Sequence, residues 1–341
     1  MRLFYYRSQQ GNFGDDLNAW LWEELLPGRW SDDSDVVFSG IGTIIGHSLP
    51  PARKVIVFTS GVGYSPIPAD FHGGRWVTAA VRGPLSARTL GLPAEAAVAD
   101  GALLLSTLPR LAPLAEGERH GTVFVPHHQA LADDSGWHVA AEAAGVELLD
   151  PRLPSETVIG RLRSARRVIA DSMHAAIIAD SLRVPWIPVV SSSHISSFKW
   201  LDWAMSLEVP YEPVRLPAPS LKGRYASWAY RFYNHAHHVD PPGEERVMAR
   251  FRRSMALDAK PWWPGLRRPI RRVLHAIPDR MSRHRPIGAL AARIDRRRID
   301  RTAQTLAALA ERPGYLSDGR VLALRVEELQ RRLAHIDRET G

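Results

Sequence analysis

Short, continuously apolar runs that end in Gly, Ser or Asp recur along the first two-thirds of the chain, and segments of helical spacing lie between them. "RLFYY", "VVFSGIG", "KVIVFTSGVG", "WVTAAV" and "AAVADGALLL" are such runs within residues 1–110, and Leu17, Leu21 and Leu25 stand at i, i+4 and i+8. Continuous apolar strands alternating with helices predict parallel sheets covered on both faces, because a strand buried on both sides has no polar face. A Pro-rich polar stretch, "LPRLAPLAEGERHG" at 108–121, reads as a linker, after which the rhythm restarts with "TVFVPHH", "WHVAAEAAG", "VELLD", "SETVIGRLRSA", "RRVIAD", "MHAAIIADSLR" and "PWIPVV". The expectation is an α/β chain of two Rossmann-like halves, 1–112 and 113–221, facing a cleft. Residues 222–341 would form a basic helical extension.

Composition narrows the function classes. The 341 residues contain no cysteine, which excludes a disulfide framework, a thiolate metal site and a thiol nucleophile. The start, "MRLFYYRSQQ", lacks the apolar core of a signal peptide, and no run approaches the length of a membrane span. The net charge of +8 is unevenly spread. Residues 222–341 hold 26 Lys and Arg against 13 Asp and Glu, whereas residues 1–221 hold 18 against 23. A mildly acidic body with a basic tail suggests a docking appendage rather than a nucleic-acid binder. The segment "RRPIRRVLHAIPDRM" mixes Arg with apolar residues as an interfacial helix does, and packing of these helices on the body is the alternative. The location expected is cytoplasmic, peripheral at the inner membrane face.

Several segments could carry chemistry. "GNFGDDLNAWLWEELL" (11–26) puts Asn12, Gly14, Asp15, Asp16 and Asn18 before an apolar helix, either as a helix cap or as a loop at a cleft. Asp15, Asp16 or Asn18 would start that helix. In "RRVIADSMHAAIIADSLRVPWIPV" (166–189) a strand runs into Asp171 and Ser172, both competent N-caps, and His174 falls in the first helical turn. That histidine is a candidate general acid–base, or a polar residue near a cap. In "AAVRGPLSARTLGL" (79–92), Arg82 at a strand end could fork onto a carboxylate or phosphate, or be a turn arginine. The glycines of "SGIGTIIG" and "TSGVGY" match no full phosphate-binding fingerprint. "SSSHISSFKWLDW" (191–203) offers His194 and Lys199, and "VPHHQAL" places His127 and His128 at a strand end. The two adjacent histidines lack further ligands at metal spacing, so no metal is assigned.

Taken in order, "GNFGDDLN", "VRGPLSARTLGLP" followed by "VADGALLL", and "IGRLRSARRVIADSMHAAIIADSLRVPWIPV" resemble the polysaccharide pyruvyltransferase family over residues 1–215. "NFGDDLN" with "SFKWLDW" is similar to the branch that adds pyruvate ketals to succinoglycan-type exopolysaccharides. The resemblance implies a GT-B-like pair of domains and phosphoenolpyruvate as co-substrate, with no cofactor. The acceptor implied is a glycan, on the polymer or on its lipid-linked repeat unit. It also implies that the essential histidine is His174 and that Arg82 and Lys199 hold the donor, with Ser172 beside them; from the chemistry of ketal formation, Asp15 and Asp16 are expected to orient the acceptor hydroxyls or act as base. Asn12, Gly14, Asn18, His127, His128 and His194 would line the acceptor side. Where the family often has arginine two residues before the histidine this chain has Ser172, so either another cation such as Arg163, Arg166 or Arg183 supplies that charge or the donor pose differs. The rival expectations are a GT-B glycosyltransferase using a nucleotide sugar, and a non-catalytic scaffold docking by its basic tail.

Overall fold

The structure, a computed structural model, describes residues 1–47, 49–282 and 285–340. It is an α/β fold with two all-parallel sheets. The first half runs β1 (Arg2–Phe4), α1 (Phe13–Asp16), α2 (Asn18–Leu25), β2 (Val36–Ser39), β3 (Lys54–Phe58), β4 (Trp76–Ala80) and α3 (Pro84–Thr89). Its sheet order is β1-β2-β3-β4. Alternation along β3 serves two cores, as a period of two requires. Ile56 and Phe58 pack with Phe38 and the α2 residue Trp22, while Val57 faces Val81, Leu85 and Phe251. Trp22 meets Phe38 and Phe58 edge-on, with ring centroids 5.1 and 5.6 Å apart, the geometry the ring quadrupoles favour.

The second half runs β5 (His120–Val125), α4 (His128–Asp133), α5 (Gly136–Ala143), β6 (Glu147–Leu148), α6 (Ser155–Arg163), β7 (Ala165–Ala170), α7 (Met173–Ser181), β8 (Trp186–Val190), α8 (Ser197–Ser206) and β9 (Val214–Arg215). The order β6-β5-β7-β8-β9 reverses direction between β5 and β7. Such a switch point leaves a crevice outside the carboxyl ends of the two strands. Val123 and Val125 point into one core with Val158 and Ile177, and Phe124 points into the other with Trp137 and Leu306.

One expectation needs correction. The run "AAVADGALLL" does not form a full strand. Val81 and Ala97 make an isolated parallel bridge, and residues Gly101–Thr107 then form a 3-10 helix. Asp100 stops the strand by accepting from the Ala102 N–H at 3.0 Å, and Leu103, Leu104 and Leu105 are buried on all sides. An apolar run surrounded by protein has no periodicity to tell strand from helix. The stretch at 108–121 contains short 3-10 turns with Leu111 buried, and one apolar cluster runs from Phe13 to Trp186 across both halves.

The basic tail is also more than an appendage. It forms α9 (Leu221–Ala229), α10 (Glu244–Asp258), α11 (Trp263–Ser282), α12 (Arg285–Ala310) and α13 (Gly319–Thr340). Helix α12 buries Leu306 and Leu309 against the second half. Helix α13 buries Leu322, Leu329, Leu333 and Ile336 in the shared core. Several of its arginines tie backbone carbonyls rather than face solvent. Arg298 donates to Ala218 O at 2.6 Å, Arg325 to Ser206 O at 2.9 Å, and Arg332 to Ala79 O at 2.6 Å. Among the described residues no helix is long and apolar enough to cross a membrane.

Candidate active site

The carboxyl ends of strands from both sheets converge on a cavity of about 490 Å³. Asn12 and Asp15 follow β1, Thr43 follows β2 and Tyr64 follows β3. From the other sheet, His127 and His128 follow β5, Ser172 and His174 follow β7, and His194 and Lys199 follow β8. The loop holding Asn12 and Asp15 is tied to the second half, because Phe13 N–H donates to Pro151 O at 3.0 Å and Trp20 Nε1 to Ser155 Oγ at 2.8 Å.

His174 sits in the first turn of α7, as its place after β7 predicts. Ser172 occupies the N-cap position but its side chain caps nothing. Asp171 is not a cap either: its carboxylate accepts from His127 N–H and Ser191 N–H, each at 3.0 Å, and from Ser191 Oγ at 2.5 Å. It therefore staples together the loops after β5, β7 and β8. Burial raises it to about 6, against the pull of those hydrogen bonds.

The His174 ring lies against the backbone of Gly14. A Cβ there would stand 2.0 Å from Nδ1, so glycine is required for α1 to pass over the imidazole. On its other side Nε2 faces the Asp100 Oδ2 at 4.0 Å. Both atoms are buried without a hydrogen-bond partner among the described residues. Burial, reinforced by Lys199 and Arg82, lowers His174 to about 3, and burial raises Asp100 to about 6. The imidazole is thus neutral at physiological pH, able to accept a proton but carrying none to give until an anion enters.

Asp15 is the complementary group. Burial lifts it to about 7, with Lys199 opposing and Asp16 and Asp100 adding. Asn12 donates to its carboxyl group. The rest of the segment turns away from the cavity. Helix α1 starts at Phe13 with Asn12 in the cap position, and Asp16 reaches back to accept the Asn12 N–H at 3.0 Å. Asn18 is fully buried and uses all its hydrogen-bonding capacity internally. It donates to Asp15 O and Ile41 O and accepts from Trp22 Nε1 and Ile41 N–H. Neither Asp16 nor Asn18 lines the cavity.

The expected cations divide in the same way. Lys199, in the first turn of α8, lines the cavity with Nζ 3.1 Å from the Tyr64 hydroxyl and 4.6 Å from the ring centroid. Arg82 does not line it. Its guanidinium is fully buried, with Nε 3.2 Å from the Asp202 carboxylate, Nη1 2.8 Å from Thr43 Oγ1 and Nη2 3.2 Å from Val62 O. A direct donor contact by Arg82 does not fit this geometry; it supports the wall through Thr43. The "TSGVG" glycine Gly61 makes room for it, since a Cβ there would meet the guanidinium carbon at 2.4 Å. Arg163 is spent on Ala112 O, Arg183 on Ser317 O, and Arg166 is exposed. None of the three lines the cavity; the second cation there is Arg267 of α11, beside Asp258 at 3.4 Å.

Sequence reasoning missed the contribution of the tail. His235 and His237 reach the cavity from the segment "YNHAHHVD", beyond the residue at which the catalytic body was expected to end. They join a patch of rings in which His127 and His128 have centroids 4.3 Å apart, His127 and His194 5.2 Å, and His194 and His235 5.7 Å. Burial lowers His128 and His235 to about 4 and His194 to about 3, and holds His127 and His237 well below the ordinary imidazole value. The patch is a neutral aromatic wall with hydrogen-bonding edges. Among the described residues no cluster of three or more side chains is arranged to hold a metal.

This arrangement predicts a pH dependence of stability. The unfolded chain protonates its histidines near 6.5, whereas the folded chain keeps those of the cavity neutral down to about 4 or below. Acid between those values therefore favours unfolding. Asp15, Asp100 and Asp171 act oppositely, since they stay protonated in the folded chain up to about 6 to 7 and in the unfolded chain only to 3.8. The histidines outnumber them, so the urea midpoint is expected to be lower at pH 5 than at pH 7.5. An equal or higher midpoint at pH 5 contradicts the buried neutral cluster.

Part of the cavity's lining carries a likeness to known proteins. The family model described as polysaccharide pyruvyl transferase matches residues 54–194. The succinoglycan biosynthesis protein ExoV of Rhizobium meliloti (strain 1021) is 39% identical over 218 residues, covering 64% of this chain and 68% of that protein. No solved structure matches the chain. The matched region includes β3 through His194 and so contains His174, Asp100 and most of the second-sheet rim of the cavity. With identity of that level over more than two-thirds of the relative, the chain belongs to the polysaccharide pyruvyl transferase family and is a transferase.

Proposed function

We propose that this cavity binds phosphoenolpyruvate and transfers its pyruvyl group, as a cyclic ketal, to two hydroxyls of a sugar in an exopolysaccharide or its lipid-linked repeat unit. The observation that carries the reading is the meeting of Lys199, His174 and Asp15 in one cavity at the switch point, with the α7 and α8 N-termini facing it. A donor with a phosphate and a carboxylate needs cations and free helix N–H groups. Lys199 and Arg267 supply the first, and the α7 turn from Ser172, whose side chain caps nothing, supplies the second.

The protonation states suggest a division of labour. Asp15, raised to about 7, is the group poised near neutrality to protonate the methylene carbon, which leaves a cationic C2. Neutral His174 takes the proton of the first attacking hydroxyl. The second hydroxyl displaces phosphate at C2, and of the two hydroxyl protons one replaces that given to the methyl group and one leaves with phosphate. Asp100 faces Nε2 and stabilises the imidazolium once formed. The scheme uses no metal and no organic cofactor. Tyr64 and the histidine patch give the sugar a ring face to stack on and edges to bond. Residues 1–112 and 113–221 correspond to a GT-B-like pair of domains in this reading, and 222–341 completes the site through His235, His237 and Arg267.

A thermal-shift series tests the donor. Phosphoenolpyruvate at about a hundred times its dissociation constant is expected to stabilise the protein by about 2.7 kcal/mol, and nucleoside diphosphates to leave it unchanged. Stabilisation by a nucleoside diphosphate alone contradicts the proposal.

A further inference from the structure

Helix α11 has two apolar faces, and among the described residues one of them is exposed and uncovered. Its inner face packs Ile270 and Leu274 on Ala229, Tyr230 and Tyr233, and Trp263 is 7% exposed. On the outer face Leu266, Pro269 and Val273, with Trp262 immediately before the helix, stand at i+4, i+7 and i+11 from Trp262, a single stripe along it. Trp262, Leu266 and Val273 are 58%, 48% and 60% exposed, and Pro269 is exposed with them. Next to α11, Trp228 and Phe232 are exposed too, their rings 4.5 Å apart.

Charge says what this face meets. Between Asp258 and Asp279 there is no acidic residue, and Lys260, Arg267, Arg268, Arg271 and Arg272 all fall there. Arg268 and Arg272 stand one turn apart beside the stripe and are exposed. A second copy of the chain would bring these arginines face to face, whereas an anionic bilayer satisfies both the stripe and the charge. We propose that the outer face of α11 docks on an anionic phospholipid surface, with Trp262, Leu266 and Val273 in the acyl boundary and Arg268 and Arg272 among the headgroups. Because α11 also carries Arg267 on the cavity wall, docking holds the cavity beside the membrane plane. The proposal stands apart from the identity of the donor.

The test is co-sedimentation of the full chain with vesicles of phosphatidylcholine, with and without phosphatidylglycerol. Binding is expected with the anionic vesicles and not with pure phosphatidylcholine. The variant Trp262→Ser/Leu266→Ser/Val273→Ser and the variant Arg268→Glu/Arg272→Glu are each expected to weaken it about tenfold or more. All five side chains are exposed or flank the stripe, so the melting temperature is expected to stay that of the parent, which separates lost docking from lost folding. No sedimentation with anionic vesicles overturns the proposal, as does binding that both variants leave intact. A concentration-dependent dimer that the serine variant abolishes, without vesicle binding, overturns it in favour of self-association.

Discussion

His174→Ala is expected to lower the rate of phosphoenolpyruvate-dependent transfer about 10²- to 10⁴-fold, the range for loss of a positioned acid–base group. At 1.36 kcal/mol per decade that is about 3 to 5 kcal/mol of transition-state stabilisation. The melting temperature at neutral pH is expected not to rise, because the imidazole, held at about 3, is already neutral there and the variant removes only its packing against Gly14. Asp15→Asn should match the loss, and the parent's turnover number should fall above pH 7, where the acid form of Asp15 is depleted. Initial rates with folding checked by circular dichroism measure both. Near-parental turnover by His174→Ala removes the imidazole from the chemistry.

The second large effect is on stability. Arg82 and Asp202 are both fully buried, with Nε and Oδ2 3.2 Å apart. Asp202 also accepts from Ser86 N–H at 2.9 Å and Ser86 Oγ at 2.6 Å, capping α3. Removing either partner leaves a buried charge unpaired, which costs about 3 to 5 kcal/mol. Arg82→Ala and Asp202→Ala should each lower the unfolding free energy measured in urea by that amount. The pair Arg82→Met/Asp202→Leu should be more stable than either single variant, because no charge is stranded. If Arg82 instead held the donor directly, Arg82→Ala would weaken phosphoenolpyruvate binding at parental stability.

The same residue shows what the sequence could and could not reveal. A strand-end arginine before "GPLS" was visible as a charge poised for an anion; its anion proved to be Asp202, 120 positions away, and no local pattern announces such a partner. The two parallel sheets were legible because strands buried on both faces are apolar throughout. The run after Val98 was not, because total burial erases the difference between a strand and a 3-10 helix. His174, Asp15, His127, His128, His194 and Lys199 were legible as residues following strands, and all six line the cavity. His235, His237 and Arg267 were not, because the basic composition of residues 222–341 drew attention to solvent. The arginines that clamp carbonyls of the body look, in sequence, the same as those that face water.

The most direct measurement supplies the protein with phosphoenolpyruvate and hexose-containing glycans, free and lipid-linked, and follows phosphate release together with the methyl signal of a pyruvyl ketal by NMR. Acceptor-dependent phosphate and ketal in equal amounts are predicted. Phosphate without ketal, or turnover of a nucleotide sugar with phosphoenolpyruvate untouched, would contradict the account.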